Sequence, residues 1–152
     1  MSQYAYFSLR SVETTAAEMA SHLGLPPDEV MVLGSIMAEP PRPACHAWKI
    51  ACRTGGMRVD DQVVEVLDRM RPVAARVRDL VDGGEIVAEL IIVRYFDDED
   101  GEEEDVPEPV HEDGHVLEKL PGQHHLLGWA LEREYLELVV AMGADIDADE
   151  YG

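Results

Sequence analysis

The run of residues 86–96, with the sequence IVAELIIVRYF, constrains the fold of this chain more than any other stretch. It is the longest apolar run, and it is apolar on both of the faces that a β-strand would present. One face carries Val87, Ile91, Val93 and Tyr95, and the other carries Ala88, Leu90, Ile92 and Phe96. Because a strand that is apolar on both faces is typically covered on both, we predict a central strand here.

Alternation of apolar and polar residues predicts further strands over residues 4–10, 45–53 and 144–151, and a short one over 30–33. Helical spacing of the apolar residues predicts four helices. The first follows a cap at Thr14 or Thr15 and ends at Gly24, the second follows a cap at Asp60 or Asp61 and ends at Pro72, the third covers 73–81, and the fourth covers 131–142 and ends at Gly143.

Two strand–helix–strand segments, near residues 4–33 and 86–151, resemble one another and are separated by a helical middle. With 152 residues, the chain has the length of one domain. We therefore predict a single α+β domain over residues 1–152, in which a single-layer sheet of about four to five strands has helices packed on it. The nearest topology is ferredoxin-like, with the strand–helix–strand segments as a pseudo-repeat.

The charge of the chain is strongly and unevenly negative. There are 32 Asp and Glu against 12 Lys and Arg, which gives a net charge of -20. Residues 85–152 alone hold 3 basic and 21 acidic side chains. Such an excess repels the phosphates of nucleic acids and of anionic membranes and attracts cations. We therefore expect no nucleic-acid partner and no membrane partner, and we expect a basic protein instead.

One acidic segment follows the apolar run directly. Residues 97–113 hold 11 carboxylates and almost no apolar side chains, so they lack the surface that a packed segment would bury. We expect a mobile acidic loop at 97–125. Its candidate partner-binding residues are Asp97, Asp98, Glu99, Asp100, Glu102, Glu103, Glu104 and Asp105.

A second acidic segment lies in the last predicted strand, where Asp145, Asp147 and Asp149 share one face. The spacing begins like a calcium-binding EF-hand loop, but Glu150 stands where that loop needs a glycine. We therefore predict a row of carboxylates that binds a cationic partner, is simply solvated, or lies opposite basic residues of neighbouring strands. The basic candidates are Lys49, Arg53 and Arg94.

Residues 111–115, HEDGH, match the H-E-x-x-H motif of zinc metalloproteases. That motif works on a helix, which places both histidines on the metal with the glutamate as general base. Here Gly114 lies inside the motif and two prolines shortly precede it, so we do not expect a helix. We predict no metal site and no cofactor, and His111 and His115 are the candidate ligands if a metal binds.

His46 and Trp48 share one face of the strand predicted over 45–53, either as a packed pair or as the wall of a small-ligand pocket. Cys45 and Cys52 fall on opposite faces of that strand, about 23 Å apart, which is too far for a disulfide. Free thiols, together with no apolar run of about 18 residues and no signal peptide, are typical of a cytoplasmic protein. We assign no catalytic residue.

Several stretches together resemble a bacterial family named domain of unknown function 4279. They are YFSLRS at 6–11, LGLPPDEV at 23–30, HAWKI at 46–50, the region 62–72, IIVRYF at 91–96 and LELVVAMGADIDADEY at 136–151. The last of these is the most specific. The resemblance implies a small soluble α+β domain whose activity is not established, and it carries over no catalytic residue. The acidic stretch after Phe96 departs from the family pattern.

From these observations we predict a cytoplasmic, non-catalytic protein-binding module, with an immunity-type inhibitor of a basic toxin as one concrete form. Two alternatives remain open. A metal-binding or metal-dependent enzyme would use the His-rich loop, and would lose stoichiometric zinc when His111 and His115 are changed to Ala. A small-ligand sensor would use a pocket near His46 and Trp48, and would show a thermal shift with a metabolite.

Overall fold

A computed structural model of the protein describes residues 2–37, 41–96 and 128–152. The acidic loop predicted at 97–125 lies outside these residues. The eight carboxylates proposed between Asp97 and Asp105 and the candidate metal ligands His111 and His115 therefore lie outside them as well.

In the described part of the chain, five strands form one mixed sheet. They are β1 (Ser2–Ser11), β2 (Glu29–Met31), β3 (His46–Cys52), β4 (Val87–Tyr95) and β5 (Asp145–Tyr151). Their spatial order is β2-β3-β1-β4-β5, and neighbouring strands are antiparallel except for β4 and β5, which run parallel. The prediction of one sheet of four to five strands is confirmed.

The described helices complete an α+β fold, as predicted. They are α1 (Ala16–Leu23), α2 (Val59–Met70), α3 (Ala74–Asp82) and α4 (Arg133–Met142), with a 3-10 turn (Arg71–Val73) between α2 and α3. Helices α1, α2 and α3 contact the sheet, and α4 lies against α3 and α2. None of these helices is long and apolar enough to cross a bilayer.

The first four strands have ferredoxin-like connectivity. The chain runs β1-α1-β2-β3-α2-α3-β4, and each pair of parallel strands is separated by a strand of the other pair. Helix α4 then adds β5 beside β4. The two strand–helix–strand segments that resemble one another in sequence therefore differ in space. Strands β1 and β2 have β3 between them, whereas β4 and β5 are direct neighbours.

The middle position of the sheet belongs to β1, which pairs with β3 on one side and with β4 on the other. The prediction that residues 86–96 form the central strand is thus wrong by one position. The side chains that β4 turns to the helices are buried, namely Ala88, Leu90 and Ile92. On its other face Ile91 and Val93 are buried, but Val87 and Tyr95 are 49% and 38% exposed.

Local sequence determines where the helices begin and end. Thr15 caps α1 through a capping box with Glu18, and Gly24 ends that helix in a left-handed conformation at φ 64°. Gly143 ends α4 in the same way at φ 69°. The predicted cap of α2 at Asp60 or Asp61 is wrong. The helix begins earlier, after Arg58, and its first residue, Val59, is buried in the core.

Candidate functional site

The sheet has one face that none of the described helices covers, and we call it the helix-free face. Core side chains of β1 such as Phe7 and Leu9 point to the opposite side. Because successive residues of a strand alternate between faces, Tyr4, Tyr6 and Ser8 lie on the helix-free face. This face is the candidate functional site, since it collects aromatic rings and both signs of charge from neighbouring strands.

One row of residues crosses the helix-free face in register through all five strands. It runs from Glu29 through Lys49, Ser8 and Glu89 to Asp145. Two further rows follow along the strands. One contains Ala51, Tyr6, Ile91 and Asp147, and the other contains Tyr4, Val93 and Asp149. Each row therefore ends on β5 with a carboxylate.

Two basic side chains of the helix-free face, Lys49 and Arg53, lie at its β3 side and contact the tyrosines of β1. The Lys49 ammonium lies 4.5 Å from the centroid of the Tyr6 ring, and the Arg53 guanidinium lies 4.0 Å from that of Tyr4. Such contacts are typical cation–π distances. Arg53 also binds Glu29 at 2.8 Å. The face is thus cationic and aromatic toward β3 and anionic at β5.

The structure places Asp145, Asp147 and Asp149 side by side on the edge strand, as the alternation predicted. Their direct neighbours on β4 are Glu89, Ile91 and Val93. Among the described residues no basic side chain lies within ion-pair distance of the three carboxylates. Of the three arrangements predicted, pairing with Lys49, Arg53 or Arg94 is therefore not found among the described residues, and both solvation and a cationic partner stay predictions. Lys49 lies on β3 and Arg53 directly follows that strand, and β1 and β4 lie between them and β5.

Arg94, the third basic residue considered as a neighbour of these carboxylates, lies on the opposite face of the sheet. It is fully buried, and its guanidinium lies 4.8 Å from the centroid of the Phe96 ring. It donates hydrogen bonds to Glu150 Oε1 at 3.1 Å and to Gln3 Oε1 at 3.3 Å. The acidic residue of β5 that Arg94 neutralises is therefore Glu150, and not one of the three aspartates.

Four tyrosines line the end of the helix-free face in two stacked pairs. Tyr4 and Tyr6 have ring centroids 6.0 Å apart, and Tyr95 and Tyr151 have theirs 4.8 Å apart at an interplanar angle of 12°. Burial, followed by Tyr4 and the charge of Asp149, raises the pKa of Tyr6 to about 12. The four side chains present hydroxyl groups and apolar rings to a partner.

The two pocket candidates of β3, His46 and Trp48, face the core side of the sheet. Trp48 is completely buried, and its indole N–H donates to the Leu25 carbonyl at 3.2 Å. His46 is half-buried, and its Nδ1 accepts a hydrogen bond from the Leu33 amide at 3.2 Å. Both side chains thus have protein partners. That they form a ligand pocket remains a prediction.

The cysteines and metal candidates can be placed only in part. Cys45 and Cys52 are both free thiols, which confirms that they do not bridge each other. In the described ranges no group of three or more His, Cys, Asp and Glu is arranged to hold a metal ion. The HEDGH motif lies outside those ranges.

Several residues of the helix-free face were not candidates from sequence. Tyr6 and Ser8 belong to an ordinary alternating strand, and nothing in that strand alone sets them apart, while Lys49 was a candidate only as a neighbour of the β5 carboxylates. Their juxtaposition depends on the register of β1 against β3, which pairs Ser8 with Lys49. The one available signal was the tyrosine pair at positions 4 and 6, since two aromatic residues on one strand face seldom lie in a fully polar surface.

Comparison with known proteins places the whole chain in one family. The family model described as Domain of unknown function (DUF4279) matches residues 2–152. No curated protein and no solved structure matches the chain.

Proposed function

The chain belongs to the DUF4279 family, and from that premise we propose that it is a non-catalytic protein-binding module whose helix-free face binds a basic partner. The observation that carries this proposal is the row formed by Asp145, Asp147 and Asp149. These carboxylates lie on an edge strand and have no cationic partner among the described residues.

Electrostatics favours a cation at this row. Alternate residues of a strand are about 7 Å apart, so three carboxylates on one face repel one another. A lysine or arginine of a partner would relieve that repulsion. The net charge of -20 adds a long-range attraction for basic surfaces and a repulsion for nucleic acids.

The edge position of β5 adds a second means of binding. Strand β4 pairs with one side of β5, and no described strand pairs with the other side. An edge strand of seven residues offers backbone N–H and C=O groups to an added strand. Like charges oppose pairing with a second copy of β5, whereas a partner segment with basic residues at alternate positions would match it.

An immunity-type inhibitor is one concrete form of this function. Such a protein covers the basic active site of a nuclease or a similar toxin, and an acidic surface on a small domain is suited to that task. What supports this form is the charge and the size of the chain.

The test compares three versions of the full chain as bait in a lysate of the host organism. They are the wild type, the β5 variant Asp145→Asn/Asp147→Asn/Asp149→Asn, and a control variant, Glu65→Gln/Asp79→Asn/Glu85→Gln. The control removes three exposed negative charges from α2, α3 and the turn after α3, so both variants change the net charge equally.

We expect wild type and control to retain a basic protein at low salt and to release it at moderate salt, because screening weakens exposed charge pairs. The β5 variant should retain at least about tenfold less of it. Equal retention by all three baits, or no retained protein at all, would contradict the proposal.

A further inference from the structure

The hydroxyl of Ser8 is an unusual group on the helix-free face. Ser8 lies in the middle of β1, is fully buried, and its Oγ has no hydrogen-bond partner. A buried hydroxyl without a partner costs stability, and most buried polar groups in proteins are satisfied. An apolar residue of the same size would avoid this cost. The hydroxyl therefore points to a ligand that would satisfy it.

Lys49 lies directly across from Ser8 in the register of β1 and β3. Its half-buried ammonium lies 4.5 Å from the centroid of the Tyr6 ring. The carboxylates on either side of the pair are occupied, since Glu29 binds Arg53 and Glu89 binds Arg10. Among the described residues, no carboxylate lies within ion-pair distance of the Lys49 ammonium.

We propose that Lys49 and Ser8 form a subsite for one oxyanion, a carboxylate or a phosphate group, on the helix-free face. The ammonium and the hydroxyl both donate hydrogen bonds to it, and the ring of Tyr6 forms one wall. The Lys49 side chain has four rotatable carbon–carbon bonds, and its rotation gives the anion access to the hydroxyl. This subsite is independent of the basic partner, because it lies at the β3 side of the face rather than at β5.

The electrostatics of the lysine agrees with such a ligand. Burial lowers the pKa of Lys49, and the charge of Glu29 opposes that effect. A bound anion would stabilise the charged ammonium further and would replace the water that the half-buried position has lost. The pair thus has the charge and the donors of an anion site, and its flanking carboxylates are neutralised by arginines.

The test is an NMR titration of the ¹⁵N-labelled full chain with sodium acetate, sodium phosphate or sodium chloride at equal ionic strength. We expect saturable shifts of the Ser8 and Lys49 amide signals with acetate or phosphate and none with chloride. Saturation by acetate alone identifies a carboxylate site, and saturation by phosphate alone identifies a phosphate site.

Three variants decide whether the named groups bind the anion. Ser8→Ala removes only the unsatisfied hydroxyl and should weaken binding about tenfold. Lys49→Gln should abolish saturation, while Lys49→Arg should retain it. Arg133→Gln removes one exposed positive charge on α4 and should leave binding unchanged. Shifts that never saturate, or affinities that Ser8→Ala and Lys49→Gln leave unchanged, would overturn the proposal.

Discussion

Two buried serine side chains on β1 are chemically identical but differ in their hydrogen bonding. Ser8 and Ser11 are both buried serines of the same strand. The Ser8 hydroxyl has no partner, whereas the Ser11 hydroxyl accepts hydrogen bonds from the Glu13 amide at 3.0 Å and the Thr14 amide at 2.9 Å. The same substitution should therefore change stability in opposite directions at the two positions.

We expect Ser8→Ala to raise the free energy of unfolding by about 1 kcal/mol, because it removes a buried group that makes no hydrogen bond. Ser11→Ala should lower it by about 1–2 kcal/mol, because two backbone amides lose their acceptor. Urea unfolding of both variants measures the difference. A loss of stability in Ser8→Ala would mean that its hydroxyl already has a partner in solution.

Asp28, in the turn before β2, joins two elements from another single position. Its carboxylate accepts hydrogen bonds from Arg69 of α2 at 2.7 and 2.8 Å and from the Ala51 amide of β3 at 2.8 Å. The hydrogen bond from Arg69 is the main reason why the pKa of Asp28 lies below its usual value of 3.8. The carboxylate therefore stabilises the fold when it is charged.

We expect Asp28→Asn to lower the free energy of unfolding at pH 7 by about 1 kcal/mol, a modest value because the pair is partly exposed. A folded-state pKa below the unfolded one gives stability that is present above pH 3.8 and is lost as the pH falls through the folded value. The difference in the free energy of unfolding between wild type and Asp28→Asn should thus become smaller below about pH 4. A difference in the free energy of unfolding that stays constant from pH 7 to pH 3 would contradict the assignment of this stabilisation to the charged Asp28 carboxylate.

Sequence reasoning succeeds at residues whose role depends on near neighbours in the chain. Thr15, Gly24 and Gly143 were placed correctly because capping and left-handed turns need only a few adjacent residues. Ser8 and its pairing with Lys49 were missed because the two positions lie 41 residues apart in the sequence. No pattern of neighbouring residues in the sequence indicates the register in which β1 pairs with β3.

Among the elements, β5 combines an edge position with a row of like charges. In a folded protein such a row lowers stability, and that cost is understandable if the row serves binding. Strand β5 was predicted correctly from its alternation, and so was the common face of Asp145, Asp147 and Asp149. What sequence left open was its neighbour, which is the acidic and apolar side of β4 rather than a basic strand.

We expect the β5 variant Asp145→Asn/Asp147→Asn/Asp149→Asn to be more stable than wild type at low salt, with a melting temperature roughly 1–3 °C higher. The gain should disappear at about 0.5 M salt, where screening removes the repulsion in the wild type. Calorimetry of wild type and variant at the two salt concentrations measures the difference in melting temperature. A variant that is less stable at low salt would show that the carboxylates are paired in solution.

The element that sequence reasoning placed at the centre, β4, shows the limit of apolar content as a guide. Its long apolar run does report burial, since five of its nine residues are Ile, Leu or Val at mostly buried positions. The middle strand is nevertheless β1, which alternates Tyr and Ser with Ala, Phe and Leu. Position in a sheet depends on which edges pair, and composition does not encode that choice.

At the scale of the whole molecule, the helix-free face is polarised. From β3, which carries Lys49 and is followed by Arg53, to β5, with its three aspartates, the distance is three strand spacings, or about 14 Å. The sequence predicted the acidic end of this face, and it predicted the α+β class with ferredoxin-like strands. The cationic partner of the acidic end stays a prediction. The sequence did not predict which side chains of neighbouring strands meet on the face of the sheet that the described helices leave uncovered.

The measurement that tests this account most directly is an amide chemical-shift map of the ¹⁵N-labelled chain with the protein that the bait retains. We predict shifts concentrated on β5, β4 and the tyrosines of β1, and lost in the β5 variant. The contrasting location is the exposed apolar surface of α4 at Leu136, Val140 and Ala141. Shifts centred there, with the sheet unaffected, would contradict the assignment of the helix-free face as the binding surface.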